Sequence, residues 1–379
     1  MAVTPTLAEI GLHPGRWQRV LQLVESWCRD DVIPSAGLLV GRHGKTTGTH
    51  VFGRQSDSPA SAPIRPDAMF LIASITKPIV GTAVLLLVER GLLNLDERVE
   101  EFLPAFGRHS KHAITVRNLL THTSGLPDML PRNRDLRIAN APMSEFITDI
   151  YNVSPDFPPG RGVQYQSTGF AVLAEIVQTL TGKTCSQFLH DEFFEPLGMN
   201  DTALGAPDRW FSSDEPQVDR IAGLRLTSEQ SSEATWNWHS RYWRQLGAPW
   251  GGLLTTPMDL GRYAQMWLNN GEFGGRRYLS PATIKAATRN QLESMKDIPD
   301  EARRCRPWGL GWRLNWSAHS ANFGDLLSPT AYGHWGATGT ALWIDPARDA
   351  FCVFLTTLPQ EPNGKYLSRL SNAVCAAFE

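Results

Sequence analysis

The period of the apolar positions changes several times along the chain, and each change marks an element. In residues 14–29, Trp17, Val20, Leu21, Val24 and Trp27 recur at helical spacing and predict an amphipathic helix. Residues 37–41 and 49–53 read as two strands around His43-Gly44-Lys45, and the Ser-, Pro- and Ala-rich stretch 54–66 reads as loop. Residues 79–88 are almost wholly apolar and lack a polar stripe. A helix there runs through a core and stops at Gly91. From 94 to about 204 the pattern is helical with many breaks. Thr115 caps a helix over 115–120, Gly182 ends one over 168–180, and Pro196-Leu197-Gly198 stops one over 186–194.

Residues 206–250 are polar and irregular, with one strand-like alternation at 218–226. Trp236, Trp238, Trp243 and Trp250 fall close together there and read as packing under a long loop. Helices follow at 257–269, capped by Thr256 or Thr255, and at 280–288, capped by Ser280 ahead of Pro281. Residues 296–306 read as a charged surface loop. Four strand-like runs, at 308–316, 331–335, 340–344 and 350–357, precede a closing amphipathic helix at 366–378. Strands and helices at both ends thus enclose a helical middle.

Composition narrows the function classes. A chain of 379 residues, 42% hydrophobic, makes one large globular unit or two intimate domains. A net charge of −2 gives no reason to expect nucleic acid or an anionic membrane as partner. Cys28, Cys185, Cys305, Cys352 and Cys375 are scattered, with no metal-ligand spacing and no disulfide framework. No metal or other cofactor is expected. His109 and His112 lack a third ligand and read as surface residues. No apolar run has the length of a membrane span, and residues 1–15 do not read as a signal peptide, so a cytoplasmic protein is expected.

Three stretches carry candidate chemistry. Ser74 and Lys77 lie three apart at the start of the apolar helix, on one face. A serine hydroxyl is a poor nucleophile until a neighbour takes its proton, and a lysine whose pKa is lowered by burial can do so. Tyr165, in Tyr165-Gln166-Ser167, lies in a loop just before a helix, where a side chain can face a cleft. Tyr332-Gly333-His334-Trp335-Gly336-Ala337-Thr338-Gly339-Thr340 falls on a predicted strand whose glycines let a substrate approach the backbone.

In this order the three motifs resemble the serine hydrolase family of class C β-lactamases, D-alanyl-D-alanine carboxypeptidases and related esterases. That family carries Ser-x-x-Lys, then Tyr-x-Asn or Tyr-x-Ser, then Lys-Thr-Gly or His-x-Gly. Flanking segments match too: Leu119-Leu120-Thr121-His122-Thr123-Ser124-Gly125-Leu126, Glu195-Pro196-Leu197-Gly198-Met199, Gly251-Gly252-Leu253-Leu254-Thr255-Thr256 and Asp345-Pro346. The resemblance implies an α+β fold: an antiparallel sheet flanked by the terminal helices, built from residues 1–92 and 250–379, with a mainly helical insertion over 93–249. It also implies acyl transfer. Ser74 would attack a carbonyl, Lys77 or Tyr165 would take the proton, and the backbone N–H groups of Ser74 and Ala337 would hold the oxyanion. Either base needs a pKa well below its free value of about 10, and the sequence leaves the choice between them open. Ser167, His334, Trp335 and Gly336 would line the substrate.

Three departures set the expected substrate. His334 stands in place of the family's lysine, Trp335 in place of threonine, and Ser167 in place of the asparagine of β-lactamases. All three favour an uncharged acyl ester over a penicillin. The expected activity is a carboxylesterase on short acyl esters. The alternatives are a β-lactamase, a D-amino-acid peptidase or amidase, or a sensor that acylates at Ser74 and deacylates slowly. No Gly-x-Ser-x-Gly elbow points to an α/β-hydrolase. His122 reads as a turn-forming residue, and Arg161 with Arg132, Arg134 and Arg137 as solvated surface.

Overall fold

The computed structural model describes residues 5–212, 216–232, 235–315, 323–359 and 364–379. After a single helical turn at Leu7–Ile10, the long helix α1 (Pro14–Arg29) starts with a proline at its first position and is capped by His13, whose Nδ1 accepts from Gly15 N and Arg16 N. The strands β1 (Ser35–Arg42), β2 (Lys45–Thr46) and β3 (His50–Gly53) follow, and then a two-residue strand, β4 (Phe70–Leu71). Next come α2 (Thr76–Glu89), α3 (Val116–Leu120), α4 (Met143–Asn152) and α5 (Thr168–Thr181). The short strands β5 (Ala203–Leu204) and β6 (Leu253–Thr255) lead to α6 (Pro257–Leu268). Four strands, β7 (Arg313–Leu314), β8 (Tyr332–Gly336), β9 (Thr340–Asp345) and β10 (Ala350–Thr356), precede α7 (Lys365–Ala377).

The main sheet is antiparallel, in the order β2-β1-β10-β9-β8-β7, with β3 pairing the far end of β1 beside β2. The central strands β1, β10 and β9 are buried on both faces, and their residues alternate between two cores. Phe351, Val353 and Leu355 of β10 face the large core shared with the helical insertion. Ala350, Cys352 and Phe354 face a smaller core closed by α1 and α7. In β9, Leu342 and Ile344 divide from Ala341 and Trp343 in the same way. The fold is therefore α+β, with the terminal helices on one face of the sheet and α6 with the insertion on the other.

The apolar run forms α2, in which every residue from Thr76 to Leu87 is buried. It packs on α5, whose residues 168–174 are also buried. Gly182 ends α5 in the left-handed conformation. Ser280 and Thr256 cap their helices, each accepting a backbone N–H.

Three expectations differ. Residues 218–226 form a 3-10 turn, Gln217–Arg220, and then an extended segment with a single bridge from Ile221 to Met69. Their alternation buries Ile221, Ala222 and Leu224 in the core without a neighbouring ladder. Of residues 308–316 only Arg313 and Leu314 pair as strand. Gly311 is left-handed, and its N–H donates to Leu120 O, which bends the segment onto α2. Trp316 lies outside the described residues. The charged stretch 296–306 contains a helical turn, Asp300–Cys305, started by Pro299 and carrying Asp300–Arg303 and Asp300–Arg304 pairs.

Candidate active site

The peptide leading to Ser74 is clamped from two sides. Ile72 N–H donates to Leu253 O on β6, while the hydroxyls of Thr338 and Thr340 donate to Leu71 O at 2.7 Å and Ile72 O at 2.9 Å. The β8–β9 turn is thereby pinned to the backbone entering Ser74. Gly336 makes that approach feasible: a Cβ there would lie 2.2 Å from Ile72 O. Ala73 adopts φ +45°, a strained conformation for a residue with a side chain. Ser74 then sits in a 3-10 turn, Ala73–Ile75, that feeds α2.

Lys77 is wholly buried, and its Nζ lies 3.0 Å from Ser74 Oγ and 3.0 Å from the carbonyl oxygen of Trp250. Its ammonium end rests 4.6 Å from the centre of the Tyr165 ring. Burial pushes its pKa down to about 7, with the Asp128 carboxylate opposing part of the drop. At neutral pH a large share of Lys77 is thus free amine beside the Ser74 hydroxyl.

Tyr165 is held by its neighbours. Gln166, buried, has its N–H on His122 Nδ1 (3.0 Å) and its side-chain amide on Leu119 O (3.1 Å), and its carbonyl accepts from the Ser124 hydroxyl. His122, left-handed at φ +59°, stacks on the Tyr165 ring at 4.7 Å between centroids. Trp308 packs against His122 at 4.2 Å and lies near both Tyr165 and His334. In this aromatic shell burial drives the Tyr165 pKa upward, and a hydrogen bond with Ser74 offsets only part of the rise. The phenol keeps its proton at neutral pH. The lowered pKa that Tyr165 would need as the base does not fit this environment.

The strand residues divide by face. His334 is buried on the side of Tyr165 and Lys77, its ring 6.0 Å from that of Tyr165. Burial, with the Lys77 charge adding to it, lowers its pKa to about 3, so the imidazole is neutral. Trp335 points the other way. It packs on the smaller core, against Phe323, with the Arg313 guanidinium 4.6 Å from its ring. Ser167 is buried, and its hydroxyl donates to Asp128 Oδ1 at 2.7 Å. Ala337, in the pinned turn, is exposed.

Four participants were not visible as such in the sequence: the Trp250 carbonyl, Asp128, Trp308 and Arg313. Arg313 is mostly buried at the sheet edge between the Trp308 and Trp335 rings, and burial lowers its pKa to about 10. The Leu126-Pro127-Asp128 stretch adjoins the His122 turn, a proximity that offered the only hint of Asp128. Arg132 pairs with Asp149 and Arg161 with Asp297, both at the surface as expected, whereas Arg137, read as solvated surface, is half-buried. The clustered tryptophans pack as expected: Trp236 and Trp243 are buried in the core, with Arg137 across both rings.

A half-buried serine bonded to a wholly buried lysine, with a tyrosine against the lysine, at the junction of an antiparallel sheet and a helical insertion, defines a serine hydrolase class, and the comparisons agree. Residues 19–375 match the family model described as Beta-lactamase, and the chain belongs to that family of serine hydrolases. Penicillin-binding protein 4 of Amycolatopsis lactamdurans is 30% identical over 303 residues, 77% of this chain and 73% of that protein. A putative D-alanyl-D-alanine carboxypeptidase of Escherichia coli K12 is 24% identical over 90% of this chain and 83% of its own length. The crystal structure of a family VIII carboxylesterase shares the fold with TM-score 0.76 at 21% identity, covering 97% of this chain and 99% of that one. A penicillin-binding protein homologue from Caulobacter crescentus does so with TM-score 0.75 at 22% identity, covering 97% and 99%. Among the described residues no helix is long and apolar enough to cross a membrane.

Proposed function

We propose that this protein hydrolyses short acyl esters through an acyl-enzyme on Ser74. The observation that carries the reading is the fully buried Lys77 amine 3.0 Å from Ser74 Oγ, with its pKa near 7. Ser74 Oγ attacks the ester carbonyl carbon while its proton passes to the Lys77 amine. The backbone N–H groups of Ser74 and Ala337 receive the oxyanion, a contribution worth about 10²–10³ in rate per donor. Lys77, now an ammonium, returns the proton to the departing alkoxide by way of the Tyr165 hydroxyl, which gives one proton and takes another. The ester C–O bond breaks and the acyl-enzyme remains. Water then attacks the acyl carbon, its proton goes back through Tyr165 to Lys77, and Ser74 regains its hydrogen as the acid leaves. Lys77 is the base in both halves, and Tyr165 is a proton relay that stays neutral between transfers.

A neutral His334 and an outward-facing Trp335 do not supply the charge and the hydroxyl that a lysine and a threonine at these positions would offer a carboxylate, which supports an uncharged ester. One observation favours a second reading. Arg313 carries a mostly buried guanidinium for which no acceptor is bonded among the described residues, and it lies close enough to Tyr165 and His334 to perturb both. A carboxylate-bearing substrate, such as the D-amino-acid peptides named by the relatives, would supply that acceptor. The deciding experiment compares purified protein on 4-nitrophenyl butanoate, a chromogenic cephalosporin and a D-alanyl-D-alanine peptide at pH 7–8. Faster ester turnover supports the first reading, and faster peptide or cephalosporin turnover replaces it.

A further inference from the structure

We infer that the acyl site reads a hydrogen-bond donor on its substrate, a hydroxyl or N–H near the scissile bond, through His334 Nε2 and Ser167 Oγ. The inference rests on the hydrolase reading above and goes beyond it by naming a substrate feature.

The two groups owe their character to what their protons already do. His334 Nδ1 lies 2.7 Å from the main-chain oxygen of Trp335. A carbonyl only accepts, so Nδ1 carries the ring proton and Nε2 is a bare lone pair. That Nε2 is buried and has no partner among the described residues. Lys77 does not supply one, since its hydrogen bonds go to Ser74 and Trp250. The Ser167 hydroxyl is committed in the same way. Its neighbour Asp128 Oδ1, at 2.7 Å, only accepts, so the serine proton points there and the remaining Oγ lone pairs can only accept. Backbone bonds from Ser167 N (3.1 Å) and Thr168 N (3.3 Å) to Asp128 O keep the two segments together.

An asparagine at 167 and a lysine at 334 would each offer donors. Here both positions offer acceptors. A buried acceptor left without a donor is unfavourable, and a substrate that fills it recovers that loss. A carboxylate or an amide carbonyl at either place would face a lone pair. A hydroxyl or N–H would be matched, and its methyl ether would be both unmatched and larger.

The test uses two matched pairs of esters with the full-length protein. One pair carries the donor on the acyl side: 4-nitrophenyl 3-hydroxybutanoate against 4-nitrophenyl 3-methoxybutanoate. The other carries it on the alcohol: 2-hydroxyethyl against 2-methoxyethyl butanoate, followed by pH-stat. The expected result is a preference in kcat/KM of about tenfold or more for the hydroxyl member of at least one pair, the scale of one hydrogen bond. That preference should fall toward unity in His334→Met and shrink in Ser167→Ala. Should His334→Met fail to fold, the wild-type ratios and Ser167→Ala still decide. Turnover of all four esters without discrimination overturns this inference alone. Preference for 4-nitrophenyl hemisuccinate over the hydroxybutanoate overturns it in favour of recognition by Arg313. Turnover of none of these esters removes the ester-hydrolase reading and this inference with it.

Discussion

Replacing Lys77 by methionine should make the protein more stable at pH 6 and close to inactive. A lysine held near 7 rather than at its ordinary 10.5 is destabilised by burial of its charge. At 1.36 kcal/mol per pH unit, that amounts to about 5 kcal/mol below pH 7. Methionine fills a similar volume without a charge. It orphans the buried Trp250 carbonyl, which costs about 1–3 kcal/mol. The net expectation is a gain of about 2–4 kcal/mol at pH 6. The sign then follows from linkage. Between pH 7 and 10.5 the unfolded chain binds a proton that the folded wild type has released, so wild-type stability rises with pH. By pH 9.5 the wild type should have recovered about 3 kcal/mol and nearly closed the gap. Urea unfolding of both proteins at pH 6 and pH 9.5 measures this. A variant less stable than wild type at pH 6, or a difference that does not move with pH, would refute the reasoning.

Two other predictions use the same geometry. The acid limb of kcat/KM for an ester should bend near pH 7, because only deprotonated Lys77 accepts the Ser74 proton; neutral His334, with its pKa near 3, adds no inflection there. A stopped-flow pH profile checks this, and a flat profile from pH 5 to 8 would exclude Lys77 as the base. Gly336→Ala should lower kcat by about 10² or more, because its Cβ would meet Ile72 O at 2.2 Å and move the Ala337 N–H away from Ser74. Steady-state kinetics beside a circular dichroism melt separates that loss from unfolding.

Much of this was legible in the chain because it is local. The Ser74–Lys77 pair needs only helical spacing, and the two-core alternation of β9 and β10 needs only period two. What escaped is long-range or carried by the backbone. The Trp250 carbonyl that fixes Lys77 comes from 173 residues downstream and has no side-chain signature. Arg313 hid in a run whose apolar neighbours read as a full strand, while the left-handed Gly311 in fact breaks it. Tyr165 and Lys77 could be named as the alternative bases, but their order of acidity depends on a shell of His122, Trp308 and Phe170 gathered from three segments. The direction of Trp335 likewise needed the sheet, since alternation along a strand says that His334 and Trp335 face opposite ways but not which way each points.

The most direct test of the account is mass spectrometry of the intact protein quenched during steady-state hydrolysis of 4-nitrophenyl butanoate, followed by peptide mapping. The account predicts a butanoyl adduct on Ser74 and none in Ser74→Ala. An adduct on another residue, or turnover that survives in Ser74→Ala, would contradict it.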